Sequence, residues 1–245
     1  MCLTFPSFTS IMFFGLVAGF VKGFLSVELD VHPSNVELIA TGATAGRCYA
    51  SCLTSEGGIL IGSARGLIKI PDISSLQQKE DIIVGNEITS VLPSEDGKSW
   101  FYLHELNDKD RSLHELTVSD KNRRTIFDYS LTPPVGSKYI ALTLNHYVVT
   151  AVDRLYVYHT TQKTLNYQNM CHSTRNVVGI PGTDTFLVTG NSSLFKYEIN
   201  DGGGLQEVWK CTGLKEARGV CLMENGSSIV LSWTEKVLFI VSKEG

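Results

Sequence analysis

The 245-residue sequence predicts an all-β fold of the β-propeller class, with about five four-stranded blades. Three observations predict it. Short β-branched and apolar runs alternate with Gly, Asn, Asp and Ser turn signals along most of the chain, as in consecutive antiparallel strands. These runs group into units whose first strands start near positions 48, 88, 138, 175 and 217. That spacing matches the ~40–50-residue period of a propeller blade. The last unit holds only three runs, and the chain carries one spare strand, Ser26–Val31, ahead of the first unit. A sandwich also uses short strands and tight turns, but it does not need one four-strand unit to recur five times.

The fifth unit shows the pattern most plainly. Ala217–Met223 is an apolar run and Glu224-Asn225-Gly226-Ser227 a turn. Ser228–Trp233 follows as a second strand, Thr234-Glu235 as a tight connection and Lys236–Val241 as a third. Three such strands cannot bury both faces alone and need copies of themselves alongside.

Those copies precede it. The first unit runs Cys48–Thr54, Ile59–Ser63, Leu67–Ile70 and Asp81–Val84, with Ser55–Gly58 as its first turn. The second runs Glu87–Leu92, Ser99–Leu106, Ser112–Val118 and Arg123–Tyr129. The third has Lys138–Leu144, Tyr147–Val152, Leu155–His159 and Thr164–Met170. The fourth has Arg175–Ile180, Thr185–Thr189, Leu194–Ile199 and Leu205–Cys211. Ser26–Val31 (SVELDV) alternates as a strand does, and is expected to close the last blade by taking its empty outer place. That closure would cover an exposed sheet edge, and an open fragment of a six-bladed ring is the alternative.

Residues 1–25 form a separate apolar segment. No charge occurs from Met1 to Val21, and Leu3–Val21 is long enough to cross a bilayer. A signal peptide, a membrane anchor and a buried packing segment all fit it. Membrane targeting is the favoured reading, and with it a secreted or membrane-associated location over a cytoplasmic one. Residues 26–245 are the propeller. Asn191-Ser192-Ser193 and Asn225-Gly226-Ser227 match the glycosylation sequon in turns, at the frequency chance provides.

Composition narrows the function classes. Hydrophobic residues make up 43% and charged residues 19%, with a net charge of −4. The chain is globular in composition, and no global basic footprint marks nucleic acid as its default partner. Six cysteines, Cys2, Cys48, Cys52, Cys171, Cys211 and Cys221, make no zinc pattern. Cys48 and Cys52, four apart in a strand, are expected on one face and too far apart to bond. Buried thiols are the expectation, with a Cys171–Cys211 or Cys211–Cys221 disulfide as the alternative.

The fifth unit resembles an NHL repeat. The residues that carry the resemblance are Arg218-Gly219-Val220, Glu224-Asn225-Gly226, Ile229-Val230-Leu231 and Lys236-Val237-Leu238. The fourth unit is similar through Asn176–Ile180 and Thr185–Val188, the first through Ser55-Glu56-Gly57 and Ile59-Leu60-Ile61. The family's Asp/Asn–Arg tight turn is replaced here by Thr234-Glu235-Lys236. The resemblance is to the propeller ends of tripartite-motif proteins and implies a domain that binds protein or RNA. No RING or B-box pattern accompanies it. A WD40 repeat fits less well, since Trp233 is not followed by Asp.

Candidate chemistry is sparse. Leu103-His104-Glu105-Leu106 echoes in Leu113-His114-Glu115-Leu116, and Asn107-Asp108 after Leu106 excludes HExxH. A surface cross-strand histidine pair is expected there, not a metal site. Glu87 and Asn176 start inner strands, where calcium-dependent propeller lactonases and esterases hold their metal, but no dense acidic set joins them. GxSxG and phosphate-loop motifs are absent.

A basic residue starts strand one in four of five units: Arg47, Lys138, Arg175 and Arg218. In a propeller these starts ring a channel mouth, where cations would attract a carboxylate, a phosphate or an acidic peptide. The expectation is therefore a monomeric, non-catalytic propeller without a cofactor. It would serve as a scaffold for a protein partner, with an acidic peptide as the candidate ligand. A calcium-dependent hydrolase and RNA binding by one basic face are the alternatives.

Overall fold

The structure is a computed structural model that describes residues 48–54, 56–72, 78–94, 96–107, 110–128, 139–170, 173–235 and 237–245. The apolar N-terminal segment, the closing strand expected at Ser26–Val31, Arg47, Lys138 and Cys171 lie outside the described residues. The described residues form strands and turns, with no helix among them. The described residues fall into two compact units, 48–128 and 139–245.

In the first unit β1 (Cys48–Leu53), β2 (Ile59–Ser63), β3 (Gly66–Ile70) and β4 (Glu80–Val84) form one antiparallel sheet in chain order. Next come β5 (Glu87–Pro93), β6 (Ser99–Asn107), β7 (Asp110–Thr117) and β8 (Arg123–Asp128) as a second. One core joins them: Leu60, Leu67 and Ile83 of the first sheet pack with Ile88, Val91, Trp100, Tyr102 and Leu116 of the second.

The second unit holds three sheets. β9 (Tyr139–Leu142), β10 (His146–Ala151), β11 (Arg154–His159) and β12 (Leu165–Asn169) form the third blade. β13 (Val177–Gly179), β14 (Thr185–Thr189), β15 (Ser193–Ile199) and β16 (Leu205–Thr212) form the fourth. β17 (Ala217–Leu222), β18 (Ser228–Ser232) and β19 (Val237–Val241) form a three-stranded fifth. Val148, Leu155 and Val157 pack on Val177, Phe186 and Val188 between blades three and four. Leu187 and Leu194 meet Leu214, Val220 and Val230 between four and five. Consecutive up-and-down antiparallel sheets of this kind are the blades of a β-propeller, and the fold class read from the sequence is the one observed.

The strand boundaries follow from composition. Second strands are covered on both faces, and every residue of β2 and of β10 is buried. The outer strands β12 (LNYQN) and β16 (LQEVWKCT) are mostly exposed. Between strands one and two, Gly57, Gly97 and Gly226 close equivalent turns in blades one, two and five by donating to the carbonyl three residues back, and Gly182 lies one position earlier in the blade-four turn. Their φ values lie between +70° and +83°, which glycine adopts without the Cβ penalty.

Close backbone and polar contacts add to the core that ties blade three to blade four. Gly179 of β13 approaches β9 so closely that a Cβ would lie 1.9 Å from the Leu142 carbonyl oxygen. Asp184, in the turn before β14, reaches the β9–β10 turn. Its Oδ1 accepts the Thr143 hydroxyl at 2.9 Å and the Asn145 amide at 2.8 Å, and its Oδ2 accepts Asn145 Nδ2 at 2.7 Å. His146 Nδ1 lies 3.0 Å from the same Oδ1. Burial acts to raise the Asp184 pKa, but the hydrogen bonds from Asn145, His146 and Thr143 outweigh it and hold the carboxyl below the usual aspartate value.

The first strands of blades one, two and five each carry a β-bulge: between Cys48 and Ala50, Ile88 and Ser90, and Ala217 and Gly219. The first corrects the cysteine expectation. The extra residue breaks the two-residue alternation, so Cys48 packs with Ile59, Ile61, Ile68 and Ile70 while Cys52 joins the Leu60 core on the other face. Cys52, Cys211 and Cys221 carry free thiols, so the Cys211–Cys221 disulfide is not formed. Burial pushes the Cys52 thiol up to about 12 and Cys221 to about 11, which makes both poor nucleophiles.

The contact at Gly179 gives a test. Gly179→Ala forces the Leu142 carbonyl and β13 apart, an overpacking cost of about 2–3 kcal/mol. For a chain of this size that lowers Tm by roughly 5–10 °C in a thermal melt. An unchanged Tm would show that the two sheets do not meet this closely.

Candidate functional site

The β-sheet register gathers one set of chain positions at one end of the second unit. Tyr139 starts β9, Arg154 follows the β10–β11 turn, and Arg175 precedes β13. Asn191 lies in the β14–β15 turn. Glu216 and Arg218 lie at the start of β17, and Trp233 follows β18. This is the strand-one end that the sequence marks as basic.

Local backbone structure aims the two arginines. At Arg175 two residues face one: its amide donates to the Thr189 carbonyl at 2.8 Å, and the Thr189 amide donates to the Asn176 carbonyl at 2.9 Å. The Thr150 hydroxyl of the neighbouring blade donates to the Arg175 carbonyl at 2.8 Å. Arg218 is itself the extra residue of the β17 bulge, between Ala217 paired with Ser232 and Gly219 paired with Leu231. Bulges re-aim side chains next to sites, and this one brings the Arg218 guanidinium 4.6 Å from the centre of the Trp233 ring.

Glu216 lies between the two. Its Oε1 is 3.4 Å from Arg218 Nη2 and 4.0 Å from Arg175 Nη2. Its Oε2 accepts the Thr234 hydroxyl at 2.7 Å. That hydrogen bond, then Arg218 and Arg175, hold the Glu216 carboxyl below the usual glutamate value against the opposing effect of burial. Glu216 carries φ +48°, a left-handed conformation uncommon for a residue with a Cβ. Asn191 Oδ1 lies 3.5 Å from Arg175 Nη2. The Tyr139 hydroxyl is raised above its ordinary pKa by burial, with the charges of Arg218 and Arg175 opposing, so it stays a neutral donor.

The guanidiniums are under-satisfied. Arg175 Nε and Arg218 Nε are buried and meet no hydrogen-bond partner among the described residues. Arg154, whose guanidinium lies 5.4 Å from the centre of the Tyr167 ring, adds buried Nε and Nη1 atoms in the same condition. Buried cationic donors without acceptors are costly, and a bound anion would satisfy them.

Of the residues expected at this mouth, Arg175 and Arg218 come together. Arg47 and Lys138 lie outside the described residues. Glu216, Trp233, Tyr139 and Arg154 escaped the sequence reading. A signal for two of them was present. Pairing Ala217 with Ser232 puts Glu216 opposite Trp233, and the Trp233 amide donates to the Glu216 carbonyl at 3.1 Å.

The histidine echo falls elsewhere, in blade two, and is buried instead of lying on the surface. His104 and His114 are 5% and 9% exposed, with ring centroids 5.4 Å apart. His114 Nε2 lies 2.7 Å from the Ser112 hydroxyl, and its ring stacks on Tyr102 at 5.2 Å. They are buried because this face of β6 and β7 also carries Trp100, Tyr102 and Leu116, which pack against blade one. Among the described residues no three His, Cys, Asp or Glu side chains are grouped closely enough to hold a metal ion. No helix among those residues is long and apolar enough to cross a membrane.

No protein-family model matches the chain, and no curated protein matches it in sequence. Solved structures do. The fold is similar to a protein of unknown function from Bacteroides caccae, at a TM-score of 0.63 and 13% identity, covering 83% of this chain and 80% of that one. It is similar to virginiamycin B lyase from Staphylococcus aureus, at a TM-score of 0.61 and 12% identity over 81% and 67%. It is also similar to a chain of the nidogen/laminin complex, at 0.57 and 13% over 71% and 69%. At these identities the likeness shows a shared β-propeller fold alone.

The buried histidines predict a pH dependence. Burial first, and the positive charge of Arg123 second, lower both pKa values, that of His114 to about 4. The unfolded chain takes up protons near the ordinary histidine value of about 6.5 while the folded chain does not, so stability is complete above that pH and falls towards pH 4. The expected loss between pH 7 and pH 4 is roughly 2 kcal/mol, read from thermal melts, and His114→Gln reduces it. A wild-type melt with the same Tm at both pH values would place the imidazoles in solvent.

Proposed function

We propose that this chain is a non-catalytic β-propeller that binds an acidic segment of a protein partner at the strand-one end of blades four and five. The observation that carries this reading is the pair of buried, unpartnered guanidinium Nε atoms on Arg175 and Arg218. They flank one half-exposed carboxylate and are bordered by Trp233 and Tyr139. Guanidinium forks match carboxylates in bidentate geometry, and an aromatic wall covers the aliphatic part of an acidic side chain.

The NHL-like pattern of the fifth unit supports the same reading, since that family's propellers are binding modules. One of the structurally similar proteins is by name a lyase, and another belongs to a protein complex. Their likeness to this chain is one of fold. The apolar segment of residues 1–25 fits delivery to the secretory pathway or to a membrane, which would make the partner an extracellular or membrane-proximal protein.

The test is fluorescence anisotropy with a labelled hexaglutamate peptide against the full chain, with hexalysine as the control. Binding is expected for hexaglutamate alone. The Arg175→Gln, Arg218→Gln double variant is expected to weaken it by roughly tenfold or more, the worth of losing charge-assisted hydrogen bonds. Equal binding of both peptides, or unchanged binding by a double variant that melts like the wild type, would contradict the proposal.

A further inference from the structure

Within that reading, Glu216 has a position that an ordinary surface carboxylate does not need. It is one of three non-glycine residues among the described ones with a positive φ, with Lys121 and Lys163, and it lies in a turn closed by the Ala217 amide on the Leu214 carbonyl at 3.2 Å. Sparsely populated backbone conformations persist where the surroundings enforce them, and they cluster at ligand sites. At this residue the conformation turns the side chain between Arg175 and Arg218.

The contacts it makes there are unequal. Its hydrogen bond to the Thr234 hydroxyl is short at 2.7 Å. Its approaches to the arginines, at 3.4 Å and 4.0 Å, are longer than the ~2.7–2.9 Å of a well-formed charge-assisted bond. The carboxylate is close enough to neutralise both cations and too far to saturate either, and the two Nε atoms stay without an acceptor. Thr234 holds it back from full engagement.

We infer that Glu216 is an internal stand-in for the ligand: it occupies the place of an incoming carboxylate, and the ligand's acidic side chain must displace it to bind. The inference rests on the anion-binding reading above and adds to it the ligand group and its competitor. A carboxylate fits because the group already in position is one, held between two guanidinium groups, one of which lies over an indole ring. Glu216 lowers the affinity of the open site and excludes weak anions. Once Glu216 is displaced and the cover over them opens, a peptide carboxylate free of the Thr234 tether takes the buried Nε donors together with the Nη donors and gains the bidentate geometry that Glu216 lacks. The displaced Glu216 swings towards solvent, where it is already 40% exposed.

Variants separate this from a plain effect of net charge. Glu216→Gln keeps the shape and removes the charge. Glu216→Asn removes the charge with a shorter residue that tolerates positive φ, which guards against a folding defect. Glu235→Gln removes a neighbouring carboxylate that pairs with Lys215 at 2.9 Å, away from the arginine pair. With labelled hexaglutamate and the full chain, both Glu216 variants are expected to bind about fivefold more tightly than wild type, the worth of one partly exposed ion pair. Glu235→Gln is expected to match wild type. Wild-type binding with no gain in either Glu216 variant, or an equal gain in Glu235→Gln, would overturn the inference and leave the anion site standing. Absence of binding in wild type and in all variants would overturn both.

Discussion

The whole structure depends on strands that are buried on both faces. β10 (His146–Ala151) is buried at every position, and so is β2. A single antiparallel sheet cannot cover two such faces, so each sheet is stable only with another packed against it. Within each unit the cores are therefore shared between blades: Phe186 and Val188 of blade four complete the core of blade three, and Leu60 and Trp100 join blades one and two. The close contact at Gly179 and the Asp184 cluster follow from the same need, because they fix the spacing and the angle at which blade four meets blade three.

That packing also creates the site. Sheets stacked side by side bring their first strands together at one end, so residues far apart in sequence become neighbours. Arg175 and Arg218 are forty-three positions apart in the chain and share one carboxylate. Bulges and strand-start geometry turn their side chains into that end instead of along the sheet faces. Partial burial then strips water from the guanidiniums, which costs stability unless an acceptor replaces the lost hydration. Glu216 replaces it incompletely. The incomplete match distinguishes this group from an exposed ion pair such as Lys121–Glu80, where a single 2.7 Å contact lies in solvent.

Much of the fold was legible because it is written in local chemistry. β-branched runs broken by glycine-containing turns marked the strands, and Ile59–Ser63 and Thr185–Thr189 have the observed boundaries. Features that depend on one extra residue were not legible. The bulge at Cys48–Ala50 places Cys48 and Cys52 on opposite faces, and strict alternation cannot anticipate that. The buried histidines were misplaced because Leu-His-Glu-Leu alternates equally well with its histidines in or out, and only the blade-one core decides. At the site, the basic strand starts were visible, but Glu216 and Trp233 needed the hairpin register to be drawn out. The φ of Glu216 has no sequence signal at all, since Lys-Glu-Ala is an ordinary tripeptide.

The central claim is that Arg175 and Arg218 offer unfilled donors to an acidic ligand. The most direct measurement is NMR of the side-chain Nε–Hε resonances in arginine-labelled protein, followed as hexaglutamate is added. The Arg175 and Arg218 resonances, assigned by their Gln variants, are expected to shift together and saturate at one peptide concentration. Saturable binding that leaves both resonances in place while other arginines shift would contradict it.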